Sequence, residues 1–86
     1  MNKQLLDITI VSLKSSETIK AKWLEVEVPG GSFVLFPEHF PIVSKLKVDG
    51  ELSFKNENGS IGSIKVPGGM LFMEDDTVIT IIIWNN

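Results

Sequence analysis

The chain is 86 residues long, 43% of them hydrophobic, and it carries a formal net charge of −3. A chain of this size forms one domain, residues 1–86, and buries about 60–65% of its unfolded surface, which argues against a deep substrate cavity. It has no cysteine and its basic residues are eight scattered lysines, which excludes disulfides and thiolate metal sites and argues against nucleic-acid binding.

Hydropathy gives no sign of a membrane-spanning or secreted chain. The longest apolar run, residues 78–84, is too short to cross a bilayer and is interrupted by Thr80. Residues 1–4 lead directly into a strand-like pattern and contain no hydrophobic signal core. We therefore expect no direct membrane insertion and a protein that is made and kept in the cytosol.

Alternating apolar and polar residues predict β-strands from the start of the chain. Residues 6–10 show a period of two, and residues 19–28 repeat it with Leu24 and Val26 on one face. Trp23 is expected on the outer face or at its rim, where its N–H can reach a partner.

Turn signals then separate the remaining strands. The Asp-Gly pair at residues 49–50 predicts a two-residue hairpin after a strand over residues 42–48, and residues 56–59 predict a second tight turn. The final strand, residues 77–84, is apolar enough to be covered on both faces. Turns recur about every 8–12 residues without a helical stretch, so the sequence predicts an all-β fold, a small antiparallel β-sandwich of two packed sheets.

The tetrapeptide Val-Pro-Gly-Gly occurs twice, at residues 28–31 and 66–69. Two copies are too few for a repeat array, which needs at least about three units. The plainer interpretation is one turn device used at equivalent corners of two sheets, with Pro and Gly at the central positions of a type II turn.

A proline-bracketed corner follows the first of these turns. Pro37 and Pro41 fix their own φ and push the residue before each of them towards extended geometry. Residues 36–41 are therefore predicted to form a rigid, outward-turned corner that presents Glu38 and His39.

The residues that carry chemistry do not form a catalytic or metal-binding pattern. His39 is the only imidazole, no serine lies in a Gly-x-Ser-x-Gly turn, and the acidic residues 74–76 lack the spacing of a calcium loop. His39 is either a structural histidine within its corner or a contact residue. We predict no catalytic residue, no metal and no cofactor. Four phenylalanines are assigned to the core, namely Phe33, Phe36, Phe54 and Phe72. Phe40 is instead expected in a contact patch.

Three stretches together resemble the N-terminal β-sandwich domain of the F-type ATP synthase epsilon subunit, called delta in mitochondria. They are L-D-I-T-I-V-S at residues 6–12, F-V-L-F-P-E-H-F-P-I-V at residues 33–43, and P-G-G-M-L-F-M-E-D-D-T-V-I-T-I at residues 67–81. The second is similar to the family corner L-G-I-x-P-G-H-x-P-L-L, and the third to its S-G-G-x-L-E-V segment. The positions that match directly are Pro37, His39, Pro41, Ile42, Gly68, Gly69, Leu71 and Val78.

Two departures from the family pattern bear on the corner and on regulation. Glu38 stands where the family usually has glycine, and because a side chain demands negative φ more strictly, it predicts a corner that is bent differently. Family members typically continue into an α-helical hairpin that in many bacteria inhibits ATP hydrolysis. The resemblance here ends with the last strand and brings no ATP site.

The resemblance implies a non-catalytic central-stalk (rotor) subunit that bridges the gamma subunit and the c-ring and couples rotation to ATP synthesis. The chain would then belong to a peripheral complex at the cytoplasmic face of the inner or plasma membrane. The family corner approaches the polar loops of the c-ring, which points to Ser32, Glu38 and His39, with Phe40 and Pro41 shaping the patch. Ile42, Val43 and Ser44 are weaker candidates for the gamma contact.

Two other interpretations remain open from the sequence. The chain is alternatively a stand-alone β-sandwich binding module for a peptide or sugar. A third reading is a structural domain that dimerises through its final strand, residues 78–84, which would be prone to aggregation as an uncovered edge.

Overall fold

The computed structural model describes residues 4–38 and 41–84, and within these ranges every regular element is a β-strand. The eight strands are β1 (Leu6–Val11), β2 (Ser16–Val28), β3 (Gly31–Leu35), β4 (Ile42–Leu46), β5 (Gly50–Asn56), β6 (Ile61–Val66), β7 (Gly69–Met73) and β8 (Val78–Ile83). The predicted all-β fold is confirmed.

The strands form one hydrogen-bonded sheet that curls into two layers. Its order is β4-β7-β8-β1-β2-β5-β6, with β3 beside β2, and every pair is antiparallel except β1 with β8. The first half of β2 pairs with β1 and its second half pairs with β3 and β5. The β2–β5 register shifts between Ala21 and Trp23, an irregularity of the kind that bends a strand. β2 therefore belongs to both layers of a small sandwich. The first layer is β4, β7, β8, β1 and the start of β2, and the second is β3, the end of β2, β5 and β6.

The core lies between the layers and is made of alternate residues of the strands. Each fully buried Leu or Ile side chain contributes about 1.5–3 kcal/mol relative to an exposed one. No buried polar or charged residue is found in the described part of the chain. The side chains at or below 2% exposure are Leu6, Ile8, Ala21, Leu24, Val26, Leu35, Leu46, Leu52, Val66, Leu71, Met73, Ile79 and Ile81.

The final strand lies inside the sheet but is not covered on both faces, so that prediction is wrong. β8 pairs with β1 on one side and β7 on the other. Ile79 and Ile81 are buried, whereas Val78 and Ile82 are 41% and 39% exposed on the solvent face of the first layer. Because both its edges are paired, β8 is not the uncovered edge that would make the chain prone to aggregation.

The Asp-Gly pair does not form the predicted hairpin. β4 pairs with β7, and β5 pairs with β2 and β6, so the turn between β4 and β5 crosses from one layer to the other. A type I′ hairpin needs positive φ at both central residues, and only Asp49, at +57°, has it. The N–H of Gly50 donates to the carbonyl of Lys47 at 3.0 Å, and the N–H of Lys47 donates to the carbonyl of Glu27 at 3.0 Å, which ties the crossing to β2.

The turn between β5 and β6 is the tight turn that the sequence predicts. The N–H of Asn56 donates to the carbonyl of Ser60 at 2.7 Å, and the N–H of Gly59 donates to the carbonyl of Asn56 at 2.9 Å. The side-chain oxygen of Asn58 accepts from the N–H of Ser60 at 3.0 Å. These bonds end β5 at Asn56, opposite Ala21 of β2.

The two Val-Pro-Gly-Gly segments have different structures. In the first, Gly30 has φ +88°, the value of the second central residue of a type II turn, and the segment joins β2 to β3 as a hairpin. In the second, Gly68 and Gly69 have φ +140° and +155°, and the segment carries the chain from β6 in one layer to β7 in the other. The prediction of one shared turn device is therefore correct for the first copy and wrong for the second.

Candidate partner-binding corner

The corner joins the two layers at one end of the sandwich. β3 belongs to the second layer and β4 to the first, so the chain from Phe36 to Pro41 crosses between them. Pro37 is half-buried, and Glu38 and Pro41 are exposed. The corner therefore presents a carboxylate at an end of the molecule where the backbone is fixed by proline on both sides.

Glu38 takes the backbone conformation that glycine favours. Its φ is +72°, and its N–H donates to the carbonyl of Asp76 at 2.6 Å. The expectation of a negative φ at Glu38 is wrong, because this hydrogen bond holds the residue in the left-handed region in spite of a cost of about 1–2 kcal/mol. Position 38 thus has the kind of backbone conformation that suits the glycine of the family corner.

The loop between β7 and β8 makes the corner acidic. Asp75 and Asp76 are exposed there, and the N–H of Asp76 donates to Oδ1 of Asp75 at 2.7 Å. A side-chain hydrogen bond with Asp75, followed by partial desolvation and by the negative charges of Asp75 and Glu38, raises the pKa of Asp76 above its ordinary value. The N–H of Asp7 donates to the carbonyl of Thr77 at 2.7 Å, which fixes the loop to β1.

The structure separates the residues that the resemblance assigns to the c-ring contact. Ser32 pairs with Glu27 beside the Pro29-Gly30 turn, at the opposite end of β3 from the corner. His39 and Phe40 lie outside the described residues. Glu38 and Pro41 are therefore the predicted ring-contact residues that the structure places at the corner.

Of the three residues assigned to the gamma contact, Val43 is the most accessible. It is 63% exposed on the solvent face of the first layer. Ile42 is half-buried and packs against the core, and Ser44, also half-buried, lies on the same face of β4 as Ile42. The alternation of β4 thus turns one of the three candidates outwards.

Trp23 is predicted on the outer face, but the other apolar residues on the solvent face of the second layer are missing from the sequence prediction. Phe36, assigned to the core, is 54% exposed. Trp23 pairs with Lys55, and Lys55 pairs with Ile61, so half-buried Trp23 lies in a row with exposed Ile61 on this outer face. The period of two in residues 33–36 carries the signal, because buried Leu35 places both of its neighbours on the outer face.

The corner offers charge and surface shape for binding a partner. Among the described residues, no three His, Cys, Asp or Glu side chains are grouped so that they could hold a metal ion. Within the same ranges, no helix is long and apolar enough to cross a membrane.

Comparisons with known proteins give a fold. No protein-family model matches the chain, and no curated protein matches its sequence. A chain in the structure of the Euglena gracilis mitochondrial ATP synthase, OSCP/F1/c-ring in rotational state 1, superposes with a TM-score of 0.83 and 17% identity over 92% of this chain. A chain in the Tetrahymena thermophila mitochondrial ATP synthase central stalk/c-ring structure superposes with a TM-score of 0.74 and 17% identity over 99% of this chain.

The present chain spans 50% of the Euglena chain and 67% of the Tetrahymena chain. At 17% identity the likeness establishes a shared fold. It agrees with the resemblance to the ATP synthase epsilon and delta subunits that residues 33–43 and 67–81 carry.

Proposed function

We propose that this chain is a non-catalytic subunit of the central stalk of a proton-translocating F-type ATP synthase, where it bridges the gamma subunit and the c-ring and couples rotation to ATP synthesis. The observation that supports this most strongly is the fold, shared over 92% and 99% of the chain with chains of two ATP synthase structures that contain the c-ring. The proline-bracketed corner, with its left-handed residue at position 38, supports the same assignment independently.

The architecture suits a part that transmits force. A continuous path of hydrogen-bonded strands passes through both layers at β2, and close-packed interiors resist deformation. The body measures 43 × 24 × 20 Å, so it is long enough to separate two partner surfaces.

In this proposal the corner approaches the polar loops of the c-ring. Glu38, Asp75 and Asp76 give this end a negative surface, which favours a partner loop that supplies hydrogen-bond donors or positive charge. Glu38, Pro41 and the undescribed His39 and Phe40 are the residues proposed for the ring contact. Ser32, at the far end of β3, is proposed to meet another part of the stalk.

The gamma subunit is proposed to pack on the solvent face of the first layer. Val43 pairs with Phe72, and Met70 pairs with Ile82, which pairs with Val11, so apolar side chains from four strands share this face. Burial of such a face against a partner is favourable by about 25 cal/mol per Å² of apolar area. The chain is then held at the cytoplasmic face of the membrane by its partners rather than by insertion.

Direct binding tests the proposal. The chain is immobilised and exposed to purified gamma subunit and to purified c-ring, each at low and at moderate salt. A one-to-one complex with gamma, and a stronger association when the ring is added, are the expected results. Binding to neither would contradict the stalk assignment and leave the stand-alone binding module.

Replacement of Glu38 maps the ring contact. Glu38→Gln removes the charge and keeps the side-chain volume, and we expect it to weaken ring binding up to about fivefold, the range of an exposed ionic contact. The control Glu51→Gln changes an exposed carboxylate of β5 by the same charge. Thermal unfolding should be unchanged in both variants, and the double variant Glu38→Ala with His39→Ala should also fold. Equal weakening by the control, or unfolding of the Glu38 variants, contradicts a contact role.

A further inference from the structure

β2 is longer than β5, the strand that pairs with it on the side opposite β1 and β3. On the side of β1 and β3, pairing covers residues 16–21 and 24–28. On the other side, β5 pairs only with residues 21–26, because the turn after Asn56 takes the chain away. Among the described residues, no strand pairs with residues 16–20 on that side, which leaves an open edge five residues long.

The backbone groups that point into the open edge follow from the register. The N–H of Asp7 donates to Thr77 beside β8, so the backbone groups of its neighbour Ile8 point the other way, towards β2. Ile8 is the partner of Ile19, whose backbone groups therefore point to β1. By alternation, the N–H and C=O groups of Ser16, Thr18 and Lys20 point away from β1 and into the open edge.

A shallow groove of about 610 Å³ lies along this edge. Its walls come from the edge itself and from the β5–β6 turn, and they are Thr18, Ile19, Lys20, Asn56, Glu57 and Asn58. A segment that entered the groove antiparallel to β2 would run in the direction of β5 and lie on the side of β2 that β5 already occupies.

The charges around the groove favour a basic segment. Glu17 pairs with Ile10 and is exposed on the same face of β2 as Ile19, and Glu57 lies near Lys20. The ammonium of Lys20 is already paired with Oδ1 of Asp7 at 2.7 Å, so it does not neutralise the two glutamates fully. A charge on the inner face of an edge strand, here that of Glu17, also discourages pairing with strands that carry no complementary charge.

We propose that residues 16–20 of β2 bind an extended segment of a partner polypeptide as an added antiparallel strand, with a basic side chain beside Glu17. Backbone hydrogen bonds to Ser16, Thr18 and Lys20 hold the segment, and an apolar side chain packs beside Ile19. Strand addition of this kind takes affinity from the main chain and specificity from alternate side chains. The site lies apart from the corner and goes beyond the proposed stalk function.

The probe is the synthetic peptide acetyl-Thr-Val-Thr-Lys-Thr-amide, which places Val beside Ile19 and Lys beside Glu17 when it runs antiparallel to β2. It is titrated into the ¹⁵N-labelled full chain to a peptide concentration of about 1 mM. Two-dimensional NMR detects binding with a Kd in this range. We expect saturable shifts and slowed amide exchange at Thr18 and Lys20, with the corner amides unaffected. Replacement of the peptide Lys by Glu should weaken binding at least about fivefold.

Thr18→Pro removes the outward N–H and is therefore expected to weaken binding at least about tenfold. The variant should still fold, because proline is tolerated on an edge whose N–H faces solvent. Thr18→Ala keeps the N–H and should retain binding. A peptide whose central Thr, opposite Thr18, is N-methylated tests the same hydrogen bonds without altering the protein, and it should not bind. The proposal is overturned if residues 16–20 do not respond to the first peptide, or if the N-methylated peptide binds equally. Neither result bears on the stalk assignment, because no stalk subunit is present.

Discussion

The same four residues, Val-Pro-Gly-Gly, build two unlike connections in this molecule. At residues 28–31 they form a surface hairpin, and a Cβ added at Gly30 or Gly31 would meet no atom within 4 Å. At residues 66–69 they carry the chain between layers, and a Cβ added at Gly69 would overlap the carbonyl oxygen of Ile82. Glycine serves conformational freedom in the first copy and close backbone approach in the second.

The difference comes from what each segment connects. Residues on both sides of the first copy pair with each other, Val28 with Gly31 and Glu27 with Ser32, so the turn is local. The second copy leads from β6 to β7, which do not pair with each other, and Gly69 pairs with Ile83 of β8. The N–H of Trp84 also donates to the carbonyl of Gly68 at 3.0 Å. A short sequence therefore specifies a turn only together with the pairing of its flanks.

Gly69→Ala should give the largest effect on stability. Overpacking against Ile82 costs about 1–3 kcal/mol and the left-handed backbone about 1–2 kcal/mol, so the free energy of unfolding should fall by about 2–5 kcal/mol. Gly31→Ala occupies the matching position of the first copy and should change it by less than about 0.5 kcal/mol. Urea denaturation of both variants measures the contrast. Similar losses in the two variants would mean that the two copies are equivalent after all.

Glu38 extends the contrast to a position where the sequence has a side chain and the backbone favours glycine. Glu38→Gly relieves about 1–2 kcal/mol of left-handed strain and costs about 0.5–1 kcal/mol of backbone entropy, so it should raise the free energy of unfolding by up to about 1.5 kcal/mol. Glu38→Ala keeps a Cβ and should bring no such gain. If the Gly and Ala variants are equally stable by urea denaturation, the corner is not held in the left-handed region.

The smallest effect separates charge from backbone geometry at the corner. Because the pKa of Asp76 is raised in the folded state, its ionised form is disfavoured there, and folding gains stability as pH falls through that raised pKa. Asp76→Asn removes the disfavoured carboxylate and keeps the backbone carbonyl that accepts from the N–H of Glu38. The variant should therefore be more stable than the parent at pH 7. That advantage should vanish below the ordinary carboxyl pKa of 3.8. Thermal unfolding at several pH values measures this difference, with Glu74→Gln as the control of equal charge. The account is contradicted if the two variants show the same dependence on pH.

The elements that the sequence predicts well are those set by local pattern. The alternation in β1 and β2 predicts the buried faces, and the turn at residues 56–60 follows from its residues alone. Even exposed Phe36 is readable from the period of two, although a phenylalanine assigned to the core by type alone is misplaced.

The remaining features depend on partners distant in sequence. The pairing of β4 with β7 overrides the hairpin that Asp49 and Gly50 suggest, and it places Asp76 where its carbonyl fixes Glu38. Neither contact leaves a trace in a local window, because each joins residues that are far apart in the sequence. The acidic character of the corner was therefore not foreseeable from residues 36–41.

Cross-linking tests the proposed position in the stalk most directly, because the natural sequence has no cysteine to interfere. A single cysteine is introduced by Glu38→Cys at the corner or by Leu13→Cys, an 86% exposed position beyond the opposite end of β1. Each variant is labelled with a maleimide photo-cross-linker, assembled with gamma subunit and c-ring, and irradiated. The account predicts a product with the c subunit from position 38 and none from position 13. Products with the c subunit from position 13 alone, or from neither position in an assembled complex, would contradict it.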